Sequence, residues 1–248
     1  MTLQKPTIFA GLLLLGVITV AVAKIPSYIH VCKRNDPNLN QCIVNSVQAL
    51  LPKLKKGIPE LDVPALEPLH LPEIVISRGG NFKAIGKNII VRGASNFEIK
   101  NFKSDVNKVE YQVVLRFPEL FFDGIYDVDA KLLTLPIKGR GPMKGSGTDI
   151  EGNAIIKGRK VSKGGKTYLK FDRLDLKLKM KNYSVRLENL FDGDKTLGEA
   201  INNVLNDNKK ELMRMIRPKA EQVASSVLLE VANKITEHFE YDELFPAK

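Results

Sequence analysis

The sequence predicts an α+β protein, with one highly curved antiparallel β-sheet wrapped around a long C-terminal helix. Three observations carry this reading. From about Asn81 to Leu190, apolar residues alternate with polar ones, the two-residue period of strands with a dry face and a wet face. These strand patterns follow one another without a helical pattern between them, which calls for antiparallel pairing. From Thr196 to Phe239 the apolar spacing changes to threes and fours, and Leu197, Ile201, Val204, Leu205, Leu212, Ile216, Ala220, Val223, Val227, Val231, Ile235 and Phe239 make one stripe. A one-sided sheet and a one-sided helix each need cover, and covering one another is the economical solution. A twisted sheet that buries so long a helix has to curl around it. If the facing side chains do not fill the interior, the wrap encloses an apolar tunnel.

The elements follow in order. Lys5 is the only charge ahead of the apolar run Ile8 to Val22, which closes in Ala21-Val22-Ala23. A basic start, a short apolar centre and an A-x-A site describe a secretory signal peptide over residues 1–23. The run is shorter than the roughly 20 residues that span a bilayer. A single mature domain over 24–248 is expected, secreted and extracellular.

Cys32 and Cys42 are the only cysteines. An oxidising compartment favours their pairing over two free thiols. Their spacing is neither that of a zinc site nor that of a redox motif. The loop of about ten residues so closed is worth roughly 2–3 kcal/mol in a chain-entropy account. The bridge would pin an N-terminal arm to the first turns of a helix. Asp36-Pro37 reads as that helix's start, with Asp36 as N-cap. Leu39, Ile43, Val47, Leu50, Leu51 and Leu54 recur at helical spacing, Pro52 should bend or end the helix, and Gly57 is its stop. Pro59, Pro64, Pro68 and Pro72 then favour an extended path.

Turn signals are read at Arg78-Gly79-Gly80, Asp123-Gly124, Gly139 to Gly147 and Gly164-Gly165. Thr196, with Glu199 three residues on, reads as the N-cap of the next helix. A helix from Asn208 to Phe239 would be ~48 Å long, kinked at Pro218, with Lys209, Glu211, Arg214, Lys219, Glu221, Glu230 and Glu237 outside.

The composition excludes several functions. A formal charge of +10 suggests nucleic acid, but secretion and the lack of an aromatic-interleaved basic motif argue against it. His30, His70 and His238 are scattered singly, outside any H-E-x-x-H. Gly145-Ser146-Gly147 lacks the spacing of a nucleophile elbow, and the glycines around Lys144 match no phosphate-binding loop. The stretch from Asp192 resembles a calcium loop, but Asn203 stands where the bidentate Glu belongs. No enzyme, cofactor or metal is expected. Asn182-Tyr183-Ser184 is the only N-x-S/T sequon and makes Asn182 a glycosylation candidate.

Five ordered segments carry a family resemblance: Cys32-x9-Cys42, GIPELDVPALEPLHLPEI, NIIVRGASNFEIKNF, FPELFFDGIYDVDAKLLTLPIKGRG and LENLFDGDKTLGEAINNVLNDN, with DELFP at the C-terminus. Together they resemble the takeout and haemolymph juvenile-hormone-binding family of insects, within the tubular lipid-binding superfamily. The resemblance implies a long helix inside a curved sheet with a ligand tunnel. It implies a secreted, non-enzymatic, monomeric carrier of a juvenile hormone-, fatty acid- or terpenoid-like molecule, with circadian or feeding links. Haemolymph hormone-binding members carry a second disulfide that this chain lacks, which tilts the reading to the takeout branch. Ala130 stands where the motif has Gly.

The expected wall comprises Phe97, Ile99, Tyr111, Val113, Leu115, Phe117, Tyr126, Val128, Leu132, Leu174, Leu176, Leu178 and Met180 from the sheet. Ile216, Val223, Val227, Val231 and Ile235 face them from the helix. Ordinary core explains any one of these equally well. Tyr111 and Tyr126 are the candidates for a polar contact with ligand. The alternative function is a module that docks on lipid surfaces or bacterial lipids through its basic exterior. Transient contact with a membrane or receptor stays open.

Overall fold

A computed structural model describes residues 25–79, 82–132 and 135–247. The signal-peptide reading of residues 1–23 lies outside the described residues.

Helix α1 spans Leu39–Lys56, two residues later than the Asp36-Pro37 reading. Asp36 serves a tighter turn instead: its carboxylate accepts from the Asn38 N–H at 2.7 Å, and no side chain caps the helix. Pro52 does not end α1. It and Gln48, whose carbonyl it leaves without a donor, are both exposed, so water can satisfy that group. Gly57 does end the helix, at φ +85°. A Cβ there would come within 3.0 Å of the Val63 carbonyl, so glycine meets both the backbone and the packing demand.

The disulfide joins Cys32 to Cys42 in the first turn of α1. Arg34 extends that clasp to the C-terminus. Its Nε donates to the Phe245 carbonyl at 2.8 Å, its guanidinium lies 4.8 Å from the centre of the Tyr241 ring, and it pairs with Asp242. The staple thus ties the arm, α1 and the C-terminal tail together.

Among the described residues seven strands form one antiparallel sheet: β1 (Leu69–Leu71), β2 (Ile74–Gly79), β3 (Phe82–Arg92), β4 (Glu98–Asp105), β5 (Glu110–Leu132), β6 (Leu135–Lys163) and β7 (Lys166–Leu187). The order is β1-β3-β5-β6-β7, with β2 also on β3 and β4 also on β5. The last three strands run 23, 29 and 22 residues. A straight strand of 29 residues would reach ~95 Å, so these must coil.

Strand length corrects two turn readings. Asp123-Gly124 lies inside β5 and Gly139 to Gly147 inside β6, both in continuous register. The glycines allow close approach where the sheet bends: a Cβ on Gly141 would stand 2.4 Å from the Glu188 carbonyl oxygen. Gly164-Gly165 is a true hairpin turn between β6 and β7, as expected.

The C-terminal stripe divides at Asn208 into α2 (Lys195–Asp207) and α3 (Lys209–Thr236), followed by a short α4 (Tyr241–Leu244). Asp194, not Thr196, caps α2, its carboxylate accepting from the Leu197 N–H at 3.0 Å. Pro218 lies within α3 on its exposed side. Helix α3 packs along β7 and also meets β1 and β2. These strands are the two margins of the sheet, so the helix bridges them and the sheet curves around it.

Candidate functional site

The marginal strand β7 offers a row of backbone donors and acceptors along its outer edge, which templates pairing with another strand unless covered. Helices α2 and α3 cover it with side chains. The Asn202 amide exchanges two bonds with the Leu187 backbone, at 2.8 and 3.0 Å. Asn206 does the same with Val185, at 2.9 and 2.8 Å. Further along, Glu221 accepts from the Leu178 N–H at 2.8 Å and Ser225 from the Leu176 N–H at 3.2 Å. Asn233 closes the row, bonding both Phe171 backbone groups at 2.8 and 2.9 Å. This corrects the reading of Glu221 as exterior: it is only 7% exposed. The signal was present in the sequence as polar residues four apart, Asn202 with Asn206 and Glu221 with Ser225, beside the apolar stripe. On the outside of the same seam, β7 residues 172–177 and α3 residues 218–229 border a groove of about 360 Å³.

The interior is densely packed at both ends. At one end Tyr126, Ile137 and Leu190 meet Ile201, Leu205 and Leu212, with Val128 and Ile216 packed against them. At the other, Val106, Val109, Tyr111, Leu169, Phe171 and Tyr241 cluster with Leu39 and Ile43 of α1. Leu174 and Leu176 pack with Ala154, Val113 and Leu178 beside that end. Val231 and Ile235 belong to a fourth cluster, with Leu50, Leu54 and the proline-rich segment.

Seven of the expected wall residues belong to none of these clusters: Phe97, Ile99, Leu115, Phe117, Met180, Val223 and Val227. Cross-strand register brings the sheet members onto one face, Ile99 opposite Leu115 on β5, and Phe117 and Met180 flanking Ile150 of β6. Phe97 precedes β4 rather than lying in a strand, and its ring meets Phe117 edge-on at 6.1 Å. Of the seventeen wall residues with described side chains, five are buried, twelve are half-buried and none is exposed. The side chain of Leu132 lies outside the described residues.

The two tyrosines differ. Tyr126 donates to the Glu188 carbonyl at 2.6 Å, and burial pushes its phenol up to about 12. A backbone group therefore takes its hydroxyl. The Tyr111 hydroxyl is buried with no hydrogen-bond partner among the described residues, and burial raises its pKa. Removing an unpaired buried hydroxyl relieves its desolvation, worth about 1–3 kcal/mol. Tyr111→Phe is therefore expected to raise the thermal midpoint, read by calorimetry; a lower midpoint would mean that the hydroxyl has a partner in solution.

Among the described residues no group of three His, Cys, Asp or Glu side chains could hold a metal ion. Nor is any described helix long and apolar enough to cross a membrane. Asn182 is exposed toward the C-terminal end of β7, opposite Thr148.

Comparison with known proteins agrees with this architecture. The crystal structure of Epiphyas postvittana Takeout 1 superposes with a TM-score of 0.78 at 21% identity, covering 88% of this chain and 100% of that one. The circadian clock-controlled protein daywake of Drosophila yakuba is 29% identical over 234 residues, 90% of this chain and 89% of the relative. A Schistocerca gregaria protein provisionally named for beta-carotene binding is 23% identical over 217 residues, 86% of each chain. The family model for haemolymph juvenile hormone binding protein (JHBP) matches residues 12–246, nearly the whole sequence, and the chain belongs to that family.

Proposed function

We propose that the protein is a secreted, non-enzymatic carrier that holds a long lipophilic molecule between α3 and the concave face of the sheet. The observation that carries this reading is the middle band of wall residues. Phe97, Ile99, Leu115, Phe117, Met180, Val223 and Val227 are apolar and only half-buried. Apolar side chains in that state suit a wall that a ligand completes. Family membership supports the same reading, as does the Schistocerca gregaria relative named for an extended terpenoid.

The binding energy comes from apolar area removed from water. At roughly 25 cal/mol per Å², a ligand burying ~400 Å² gains about 10 kcal/mol before the costs of ordering. No specific polar contact is required for useful affinity, so length and width select the ligand. Juvenile hormone-like terpenoids, fatty acids and related long molecules fit these terms. The daywake relatives suggest expression under clock control, and the Asn182 sequon suits a glycosylated secreted chain.

Native mass spectrometry of the protein purified from a eukaryotic secretion host tests the proposal. The expected result is a bound mass that organic extraction removes and a fluorescent fatty-acid probe replaces. A ligand-free protein that takes up no lipophilic probe would overturn the carrier reading.

A further inference from the structure

We propose that the outer face of the β6–β7 hairpin is a docking strip for anionic lipid headgroups. It is separate from the interior and does not depend on what the interior holds. The register sets Lys157 opposite Arg173, Arg159 opposite Lys170 and Lys163 opposite Lys166. All six side chains are exposed. Three rungs of one hairpin therefore put cation against cation, which costs stability in a free sheet.

Elsewhere the sheet mostly sets opposite charges against one another, the acid rung of Asp105 opposite Glu110 aside. Glu98 faces Arg116, Asp123 faces Lys144, Asp127 faces Arg140, Asp129 faces Lys138 and Glu151 faces Lys179. Among the described residues two other cation rungs exist, Arg78 with Lys83 and Lys144 with Arg186, and every member of them has a carboxylate partner. In the hairpin, Lys157, Arg159, Lys166 and Arg173 lean on Glu110, Asp172, Glu240 and Asp175. Lys163 and Lys170 have no carboxylate partner among the described residues. The Lys157–Arg173 rung is thus fully partnered, and the two rungs that hold an unpartnered lysine, ~13 Å of hairpin from Arg159 to Lys163, are relieved by an extended anion that lies across both strands.

A lipid surface fits this strip better than a compact anion. The cations span two strands instead of converging on one point. Between the rungs, Val161 lies opposite Tyr168, both half-buried. An amphipathic ring among cations suits the boundary between headgroups and acyl chains. The formal charge of +10 would draw the whole molecule to the same surface.

Sedimentation of the mature protein with phosphatidylcholine vesicles, with and without phosphatidylserine, tests the proposal. Binding is expected only with phosphatidylserine and should fall as salt rises. Each cation near such a surface is worth about five-fold in binding, so the double variant K163E/K170E should bind at least ~25-fold more weakly. Its thermal midpoint should rise, because two rungs become opposite-charge pairs. Its uptake of a fatty-acid probe should not change, which separates this surface from the interior. Equal binding by the variant, binding to phosphatidylcholine alone, or binding insensitive to salt would each overturn the proposal. Displacement from the vesicles by polyglutamate at physiological salt would assign the strip to an acidic protein and overturn it as well.

Discussion

Asn233→Leu is expected to lower the thermal midpoint by about 4–12 °C. Leucine is close to asparagine in size, so the change deletes polar contacts without opening a large cavity. Asn233 bonds both the N–H and the C=O of Phe171, whose side chain is itself buried among Tyr111, Leu169 and Tyr241. Leaving two partly buried backbone groups unpaired costs roughly 2–3 kcal/mol. For a domain of this size each kcal/mol moves the midpoint by about 2–4 °C. Calorimetry reads the shift. Asn233→Asp, which keeps the acceptor and loses the donor, should fall between wild type and Asn233→Leu. An unchanged midpoint in the leucine variant would mean that the β7 margin does not depend on its helix for cover.

That margin also shows where sequence reading stops. The alternation at Leu174, Leu176, Leu178 and Met180 identified a strand with one apolar face, and β7 carries it. Face is a local property, set by side chains two residues apart. Which strand ends the sheet is a property of the whole chain order, and alternation carries nothing of it. For that reason Glu221 read as a solvent-facing charge, although a free strand edge lies beside it.

Strand length was hidden for a related reason. Gly139, Gly141, Gly145 and Gly147 have the composition of a loop, yet they lie within β6 where neighbours close in, backbone at the first three and the Met180 side chain at Gly147. In a flat sheet such a run would be a break, while in a strongly coiled one it is where the strand turns. The helical stripe was legible because burial on one side repeats every three or four residues over most of α2 and α3. The residues expected to form a wall read as an apolar set, but alternation does not say which of them pack against one another. Leu174 and Leu178 alternate in one strand with Met180, yet the first two join a packed cluster and Met180 does not.

Val227→Trp is expected to abolish most ligand uptake while leaving the fold intact. Val227 is half-buried on α3, one helical turn from Val223, and neither belongs to a packed cluster. An indole placed there takes the space of roughly four methylenes of ligand. At about 0.8 kcal/mol each that is ~3 kcal/mol, or on the order of 100-fold in affinity. The same substitution in a solid interior would force neighbours off their rotamers and cost about 1–3 kcal/mol of stability. Titration with a fluorescent fatty acid and calorimetry on one preparation therefore separate the cases. Lost binding with an unchanged midpoint is the signature of a filled hollow. A fallen midpoint with lost binding marks a core that was already full, and the carrier function would then need another site. Unchanged binding with an unchanged midpoint would put the ligand away from α3 and remove Val223 and Val227 from the wall. Only the first outcome agrees with a sheet that curves around its helix without closing down onto it.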